Sequence, residues 1–306
     1  MTAPALQGWP DARQSGQSGQ SGRGRFGPAE RTERTVDGAR TVVHSFGDPS
    51  APPLLALHGL RGSHHGLAPL ASRLPGAHVV VPDLPGFGES PPFADRAHDV
   101  AGYTRWAAAL LRDLGPDATL LGHSFGSVVA TATAAGCPPR ALVLLNPIAE
   151  PASAAGGVTG AGTRLTSLLH EGAARLRLDG VLRHRLLADA ATATMATTTD
   201  PLLRRWIADE HRARFGTFAD LRSLLETFRA AGSGTARSWA PRVTAPVLLL
   251  AGALDRVAPV AGQHALAATF PDARLVLLPR TGHLVHYEAP AWAAREIGGF
   301  LGGLPG

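Results

Sequence analysis

The chain contains no lysine and a single cysteine, Cys137. One thiol closes no internal disulfide and builds no structural zinc site by itself. Charged residues make up only 17% of the sequence, and the longest apolar runs are strand-sized, such as Val247 to Ala251. Nothing approaches the roughly 20 apolar residues that a membrane-spanning helix needs. Met1 to Pro10 lack a basic segment followed by an apolar one, so no secretory leader is expected and the reading is a cytoplasmic protein. Also missing is any cluster of cations interleaved with aromatics. All 29 cationic side chains are arginine and the net charge is +5, but the surplus is spread out. Five arginines before residue 35 face Asp11, Glu30 and Glu33, and the rest are scattered along the chain. Nucleic-acid binding is therefore not expected. What remains is a globular composition, 44% hydrophobic over 306 residues. A single domain of that size buries roughly 75% of its unfolded surface.

Residues 1–30 read as a disordered tail, with Gln-Ser-Gly repeated three times between Gln14 and Gly22 and nothing to bury. From residue 31 strands and helices alternate. Asp37-Gly38 between two apolar-alternating runs signals a hairpin. Strands are expected over Leu54–Leu57, Ala77–Val81, Ala118–Leu121, Ala141–Leu145, Val247–Ala251 and Arg274–Leu278. Helices are expected over Leu67–Leu74, Tyr103–Leu114, Ser127–Ala135, Val260–Phe270 and Pro290–Leu301. Short strands apolar on both faces, separated by helices, mean a mostly parallel, doubly wound α/β sheet. The alternation stops between residues 148 and 234. There the patterns are helical over Leu165–Leu187, Leu202–Phe215 and Phe218–Ala231, with a Thr/Ala-rich stretch Ala191–Asp200 that ends before Pro201. The organisation expected is an α/β core of 31–147 and 235–306, interrupted by a helical lid of 148–234. Insertions at the C-terminal ends of parallel strands overlie the crevice where such sheets bind ligands.

Gly122-His123-Ser124-Phe125-Gly126 matches G-x-S-x-G between an apolar strand and a helix. The two glycines remove side chains that would clash in a sharp strand-to-helix turn, so the Ser124 hydroxyl stands above the sheet. Serine becomes a useful nucleophile when a histidine takes its proton and an acid orients that histidine. Asp255 and His283 follow the strands Val247–Ala251 and Arg274–Leu278, at the same sheet edge. Asp255 competes with a role as a cap of the helix near Pro259. His283 competes with His286, which reads as a packing or surface residue. Two N–H groups must meet the developing oxyanion: that of Phe125, after the serine, and that of Leu60 in His58-Gly59-Leu60-Arg61-Gly62. His58 reads as structural. His64 and His65 suggest metal ligation only weakly, since the sequence places no further ligand beside them.

These residues, with the turn Asp83-Leu84-Pro85-Gly86-Phe87-Gly88-Glu89-Ser90, resemble the α/β-hydrolase superfamily in its capped form, over about residues 31–302. The resemblance implies Ser124 as nucleophile, His283 as base and then acid, Asp255 as orienting acid, and Leu60 and Phe125 as the oxyanion hole. It implies that the Asp83 turn shapes the pocket floor. Ser124 excludes the relatives with an aspartate nucleophile. Where some relatives carry the acid, this chain has Asn146, with Glu150 near. No cofactor and no metal are implied, because acyl transfer to water needs none.

The expected reaction is cleavage of a carboxylic ester of a small to medium apolar molecule. The lid would choose that substrate through Leu165, Leu168, Leu169, Leu186, Leu187, Met195, Trp206, Ile207, Phe215, Phe218 and Phe228. Arg175, Arg177, Arg183 and Arg185 read as a solvated face. They leave open a carbon–carbon bond hydrolase acting on an acidic ring-cleavage product. Acyl transfer to another acceptor, perhydrolysis and a non-catalytic ligand-binding homologue are the remaining alternatives.

Overall fold

The computed structural model describes residues 30–74, 76–151, 171–172, 176 and 178–304. The tail reading and Leu165, Leu168, Leu169, Arg175 and Arg177 thus lie outside the described residues. Strands β1 (Glu30–Val36) and β2 (Ala39–Phe46) pair antiparallel. Asp37 and Gly38 between them take φ of 47° and 81°, as a type I′ turn requires. Then follow β3 (Pro53–Leu57), α1 (His64–Ala71), β4 (His78–Pro82), α2 (Val100–Leu114), β5 (Thr119–His123), α3 (Phe125–Ala134) and β6 (Ala141–Leu145). After β6 come α4 (Asp179–Leu182), α5 (Arg185–Met195), α6 (Pro201–Arg214) and α7 (Leu221–Ser233), a helical insertion. The core resumes with β7 (Val247–Gly252), α8 (Val260–Ala267), β8 (Ala273–Leu278), α9 (Val285–Glu288) and α10 (Pro290–Gly302).

The eight strands form one sheet in the order β1-β2-β4-β3-β5-β6-β7-β8. β2 is antiparallel to both neighbours and every other pairing is parallel. This is the α/β-hydrolase fold. Period-two alternation gives the sheet two apolar faces. Leu55, Leu57 and Leu249 face α2 and α3 around Tyr103, Trp106 and Phe125. Leu54, Ala56, Leu248 and Leu250 face α1 and α10. The chain winds from β3 outward to β4, then returns to lay β5 on the other side of β3. That reversal opens a crevice at the C-terminal ends of β3 and β5, where open α/β sheets bind ligands. Among the described residues no helix is long and apolar enough to cross a membrane.

Element boundaries differ from the sequence expectation where caps decide them. α2 begins at Val100 rather than Tyr103, because the Asp99 side chain accepts the Gly102 N–H. α7 begins at Leu221 rather than Phe218, because Asp220 caps it through Ser223 N–H. Phe218 instead forms an isolated bridge with Phe87. The Thr/Ala-rich stretch 191–200 completes α5 and then runs without regular structure to Asp200, which caps α6 through Leu202 N–H.

The turn after β4 is organised around Asp83. Its buried carboxylate accepts the backbone N–H of His64 at 2.7 Å and of Glu89 at 2.8 Å, and lies 3.0 Å from His64 Nδ1. A Cβ on Gly88, φ 56°, would stand 2.2 Å from that carboxylate. Burial opposes the Asp83 charge, yet His64 and the N–H donors hold its pKa at about 2 against the ordinary 3.8. A carboxyl depressed in the folded state contributes stability above its unfolded pKa and loses it as pH falls through the folded value. Asp83→Asn is expected to cost about 2 kcal/mol at neutral pH. In urea titrations the gap to wild type should close between roughly pH 4 and pH 2.

Candidate active site

Ser124 sits between β5 and α3 with φ 53° and ψ −120°. That left-handed conformation costs a non-glycine residue about 1–3 kcal/mol and persists only where the surroundings enforce it. The enforcement comes from close backbone packing. A Cβ on Gly122 would stand 2.3 Å from the Gly126 carbonyl oxygen, and one on Gly126 would stand 2.3 Å from that of Leu57. The Ser124 N–H donates to the Leu145 carbonyl at 3.1 Å. The Ser127 hydroxyl bonds the Ser124 carbonyl and receives the Ile148 N–H, which fixes the far side of the turn.

Three side chains named from the sequence meet at this point. His283 Nε2 lies 2.9 Å from Ser124 Oγ, and His283 Nδ1 lies 2.8 Å from Asp255 Oδ2. A carboxylate only accepts, so Nδ1 carries the proton and Nε2 is left to accept from the serine hydroxyl. Asp255 lies beside His283 and does not cap the helix that follows. Its Oδ1 accepts the N–H groups of Val257 and Ala258, while Oδ2 takes His283. Burial works against the Asp255 charge, but His283 and these hydrogen bonds hold its carboxyl below the usual range. The helix α8 begins later, after Pro259, without a side-chain cap.

Sequence reasoning missed what holds Asp255. Asn146, buried and at φ 44°, donates from Nδ2 to Asp255 Oδ2 at 2.8 Å and to the Gly282 carbonyl at 3.1 Å. It therefore ties the end of β6 to both loops. Glu150 is half-exposed with its carboxylate 3.8 Å from Arg237, away from this network. Glu288 was also unforeseen. Its buried carboxylate accepts Gly282 N–H beside the histidine, and Thr197 N–H, Thr197 Oγ–H and Thr198 N–H from the insertion.

The loop after β3 stands opposite. The Gly62 N–H closes a turn onto the Gly59 carbonyl, and Arg61 takes φ 58°. His58 is structural, as expected: Nδ1 donates to the Gly59 carbonyl and Nε2 accepts the Leu84 N–H. Through that bond the Asp83 turn supports the loop. No residue of the turn lines the pocket itself, so its expected role as pocket floor is corrected to a buttress. Leu60 lines the pocket beside Ser124. Phe125 buries its ring against Tyr103, and its N–H is the first of α3, where a helix provides no acceptor of its own. Arg61 is buried, donates to the carbonyls of Leu182 and Phe215, and lies 4.1 Å over the Phe215 ring.

The pocket beside Ser124 has a volume of about 80 Å³. The insertion contributes Met195, His211, Arg214 and Phe215 to its wall. Trp206 instead packs against Tyr287, Ile207 and Phe218 are buried away from the pocket, and Leu186 is exposed. His286, expected at the surface or in packing, is buried and lines the pocket, its ring tilted against that of His123 with 4.0 Å between centroids. Burial pushes the pKa of His123 to about 3 and that of His286 well below its ordinary value, so both rings are neutral. Arg183 donates to the carbonyls of Gly216 and Phe218 instead of facing solvent freely, and Arg185 is exposed.

Among the described residues, His44, His64, Asp83 and Glu89 bring potential metal-ligating atoms within 4.8 Å of one another. The fold thus supplies His64 with companions that lie too far apart in sequence to be recognised together. The rings of His44 and His64, however, stack at 3.3 Å with 12° between planes. Their in-plane lone pairs run side by side rather than converging, and Asp83 is engaged by backbone N–H groups. The arrangement fits a packed polar cluster better than a metal centre.

A sequence profile described as "Alpha/beta hydrolase family" matches residues 54–296. A pimeloyl-[acyl-carrier protein] methyl ester esterase from Aromatoleum aromaticum is 31% identical over 254 residues, covering 78% of this chain and 94% of its own. Among solved structures, an esterase from Exiguobacterium antarcticum superposes with a TM-score of 0.73 at 18% identity, covering 89% of this chain and 99% of its own. The enol-lactonase from Burkholderia xenovorans LB400 reaches a TM-score of 0.73 at 21% identity, with 89% and 100% covered. At these identities the structures show the shared fold.

The serine turn yields a direct test. Gly126→Ala is expected to destabilise the protein by at least about 2 kcal/mol, since the added methyl meets backbone rather than a movable side chain. A denaturation midpoint equal to wild type would show that the close approach of α3 to β3 is not required.

Proposed function

Because the chain belongs to the alpha/beta hydrolase family, we propose that it is a serine hydrolase that cleaves a small carboxylic ester through an acyl-enzyme on Ser124. The observation that carries this reading is the continuous hydrogen-bonded line from Ser124 Oγ through His283 to Asp255. It opens on a pocket at the sheet's switch point. In this reading Ser124 Oγ attacks the ester carbonyl while His283 Nε2 takes its proton, and Asp255 stabilises the imidazolium that forms. The N–H groups of Leu60 and Phe125 receive the oxyanion. His283 then returns the proton to the leaving alcohol. Water, deprotonated by His283, attacks the acyl-enzyme, and Ser124 is restored as the acid leaves. Proton, nucleophile and oxyanion are all handled by protein groups, so the cycle needs no cofactor.

The helices of the insertion act in this reading as a cap that sets substrate size. A pocket of about 80 Å³ suits a short acyl chain lying against Met195, Phe215 and Leu284. The carbon–carbon hydrolase alternative gains no support from the arginines first considered for it. Arg183 is committed to two carbonyls of the insertion itself.

On p-nitrophenyl esters from acetate to decanoate, wild type should prefer the short chains. Ser124→Ala should lose at least about a thousandfold in rate, the scale expected when a covalent nucleophile is removed. A Ser124→Ala variant as active as wild type on every ester would overturn the reading.

A further inference from the structure

Three polar atoms in the pocket wall are buried and, among the described residues, have no hydrogen-bond partner: Ser63 Oγ, Arg214 Nε and His286 Nδ1. Buried polar groups are nearly always satisfied, and an exception calls for an explanation. Ser63 makes the case most clearly. It occupies the N-cap of α1, where a serine hydroxyl ordinarily accepts a backbone N–H of the first turn. Here it makes no side-chain cap bond. Asp83 has taken the His64 N–H, and the Ser63 carbonyl has taken the Gly66 N–H. The hydroxyl is therefore released from the helix and left at the pocket wall.

The charged residues that line the pocket have one sign. No aspartate or glutamate is among the lining residues, whereas Arg61 and Arg214 are. Arg61 already donates to the carbonyls of Leu182 and Phe215, which leaves Arg214 as the cation with donor capacity at the wall. Its helix neighbour Glu210 forms an ion pair with Nε at 3.7 Å, too long for a hydrogen bond, so the guanidinium keeps its donors for a ligand. A guanidinium and a hydroxyl together match a planar, singly charged acceptor. Burial keeps His286 neutral, so its ring adds a hydrogen-bonding edge without a competing charge.

We infer that the pocket recognises a carboxylate carried by the acyl part of the substrate, bound by Arg214 and Ser63 with His286 at its side. This deepens the ester-hydrolase reading and rests on it for the chemistry. The substrate class is the half-ester of a short dicarboxylic acid: a few methylene groups between the scissile carbonyl and a free carboxylate. A neutral analogue of the same shape would leave the three polar atoms unsatisfied, a penalty that makes such sites selective.

The test pairs monomethyl glutarate with methyl 5-methylhexanoate, in which an isopropyl group replaces the carboxylate, and follows methanol release by NMR. Wild type should show a kcat/KM at least about tenfold higher for the half-ester. Arg214→Gln should bring that ratio near one, Arg214→Lys should retain part of it, and Ser63→Ala should lower it by a smaller factor. In parallel, free glutarate is titrated calorimetrically into Ser124→Ala. Binding is expected there and should vanish when Arg214→Gln is added. Equal or better turnover of the neutral ester, with no glutarate bound, would overturn the carboxylate site and leave the hydrolase standing. Arg214-dependent glutarate binding with neither ester cleaved would keep the site and sink the ester reading.

Discussion

The arrangement depends on how closely the first turn of α3 approaches the end of β3. Gly126 lies against the carbonyls of Leu57 and His58 with no room for a side chain. That contact forces the chain at Ser124 into a left-handed kink and brings the serine hydroxyl to the loop carrying Leu60. Tight backbone packing of this kind tolerates little adjustment, because neither partner is the end of a flexible chain. Its strain is held by bonds on both sides: Ser124 N–H to Leu145, and Ser127 Oγ to the Ser124 carbonyl. The sheet supplies the rigidity and the elbow spends part of it on exposing one oxygen.

A second constraint is electrostatic. Asp255 is buried, and a buried charge must be paired and hydrogen-bonded to persist. Its two oxygens divide the work. One is held by its own loop through Val257 and Ala258, and the other meets His283 and Asn146. The carboxylate thereby fixes both the position of the imidazole and which of its nitrogens carries the proton. Asn146 shows how a neutral amide serves at a strand end. It steadies the charge supplied by the next strand without adding one that would need its own counter-ion.

Much of this was legible in the sequence, for reasons that are local. The hairpin at Asp37-Gly38, the glycines around Ser124, and the polar residues just past apolar strands are short-range patterns with single structural solutions. Ser124, Asp255, His283 and Leu60 emerged from that grammar and the structure brings them to one edge. Helix starts were misjudged where an aspartate cap moved them, at Asp99 and Asp220. What could not be read was tertiary. Asn146 and Glu288 act through partners on other strands or in the insertion; the place of Asn146 after its strand shows no partner, and Glu288 sits in no recognisable pattern. His286 looked peripheral because its burial comes from His123 and from helices far along the chain. The grouping of His44 with His64 and Asp83 depends on β2 lying beside β4, a pairing that only topology reveals.

The inserted helices are moored to the core partly through their backbone. Arg61 takes the carbonyls of Leu182 and Phe215, and Glu288 takes the N–H groups of Thr197 and Thr198. The turn after β4 pairs in the same way, Gly88 N–H to Thr217 and Ala219 N–H to Gly86. In each case the core spends a side chain or its own backbone, while the insertion offers groups common to nearly every residue. Side chains of the insertion add to this mooring: the Thr197 hydroxyl meets Glu288, Thr227 meets the Tyr103 hydroxyl, Glu226 takes the His98 N–H, and Leu203 and Ile207 pack on Leu284 and Tyr287. The two kinds of contact fall on different segments: backbone bonds hold the stretches around Thr198 and Thr217, while α7 is also held by its own side chains. The segments held by backbone alone can change residue without losing an anchor, whereas a change in α7 at Glu226 or Thr227 would cut one.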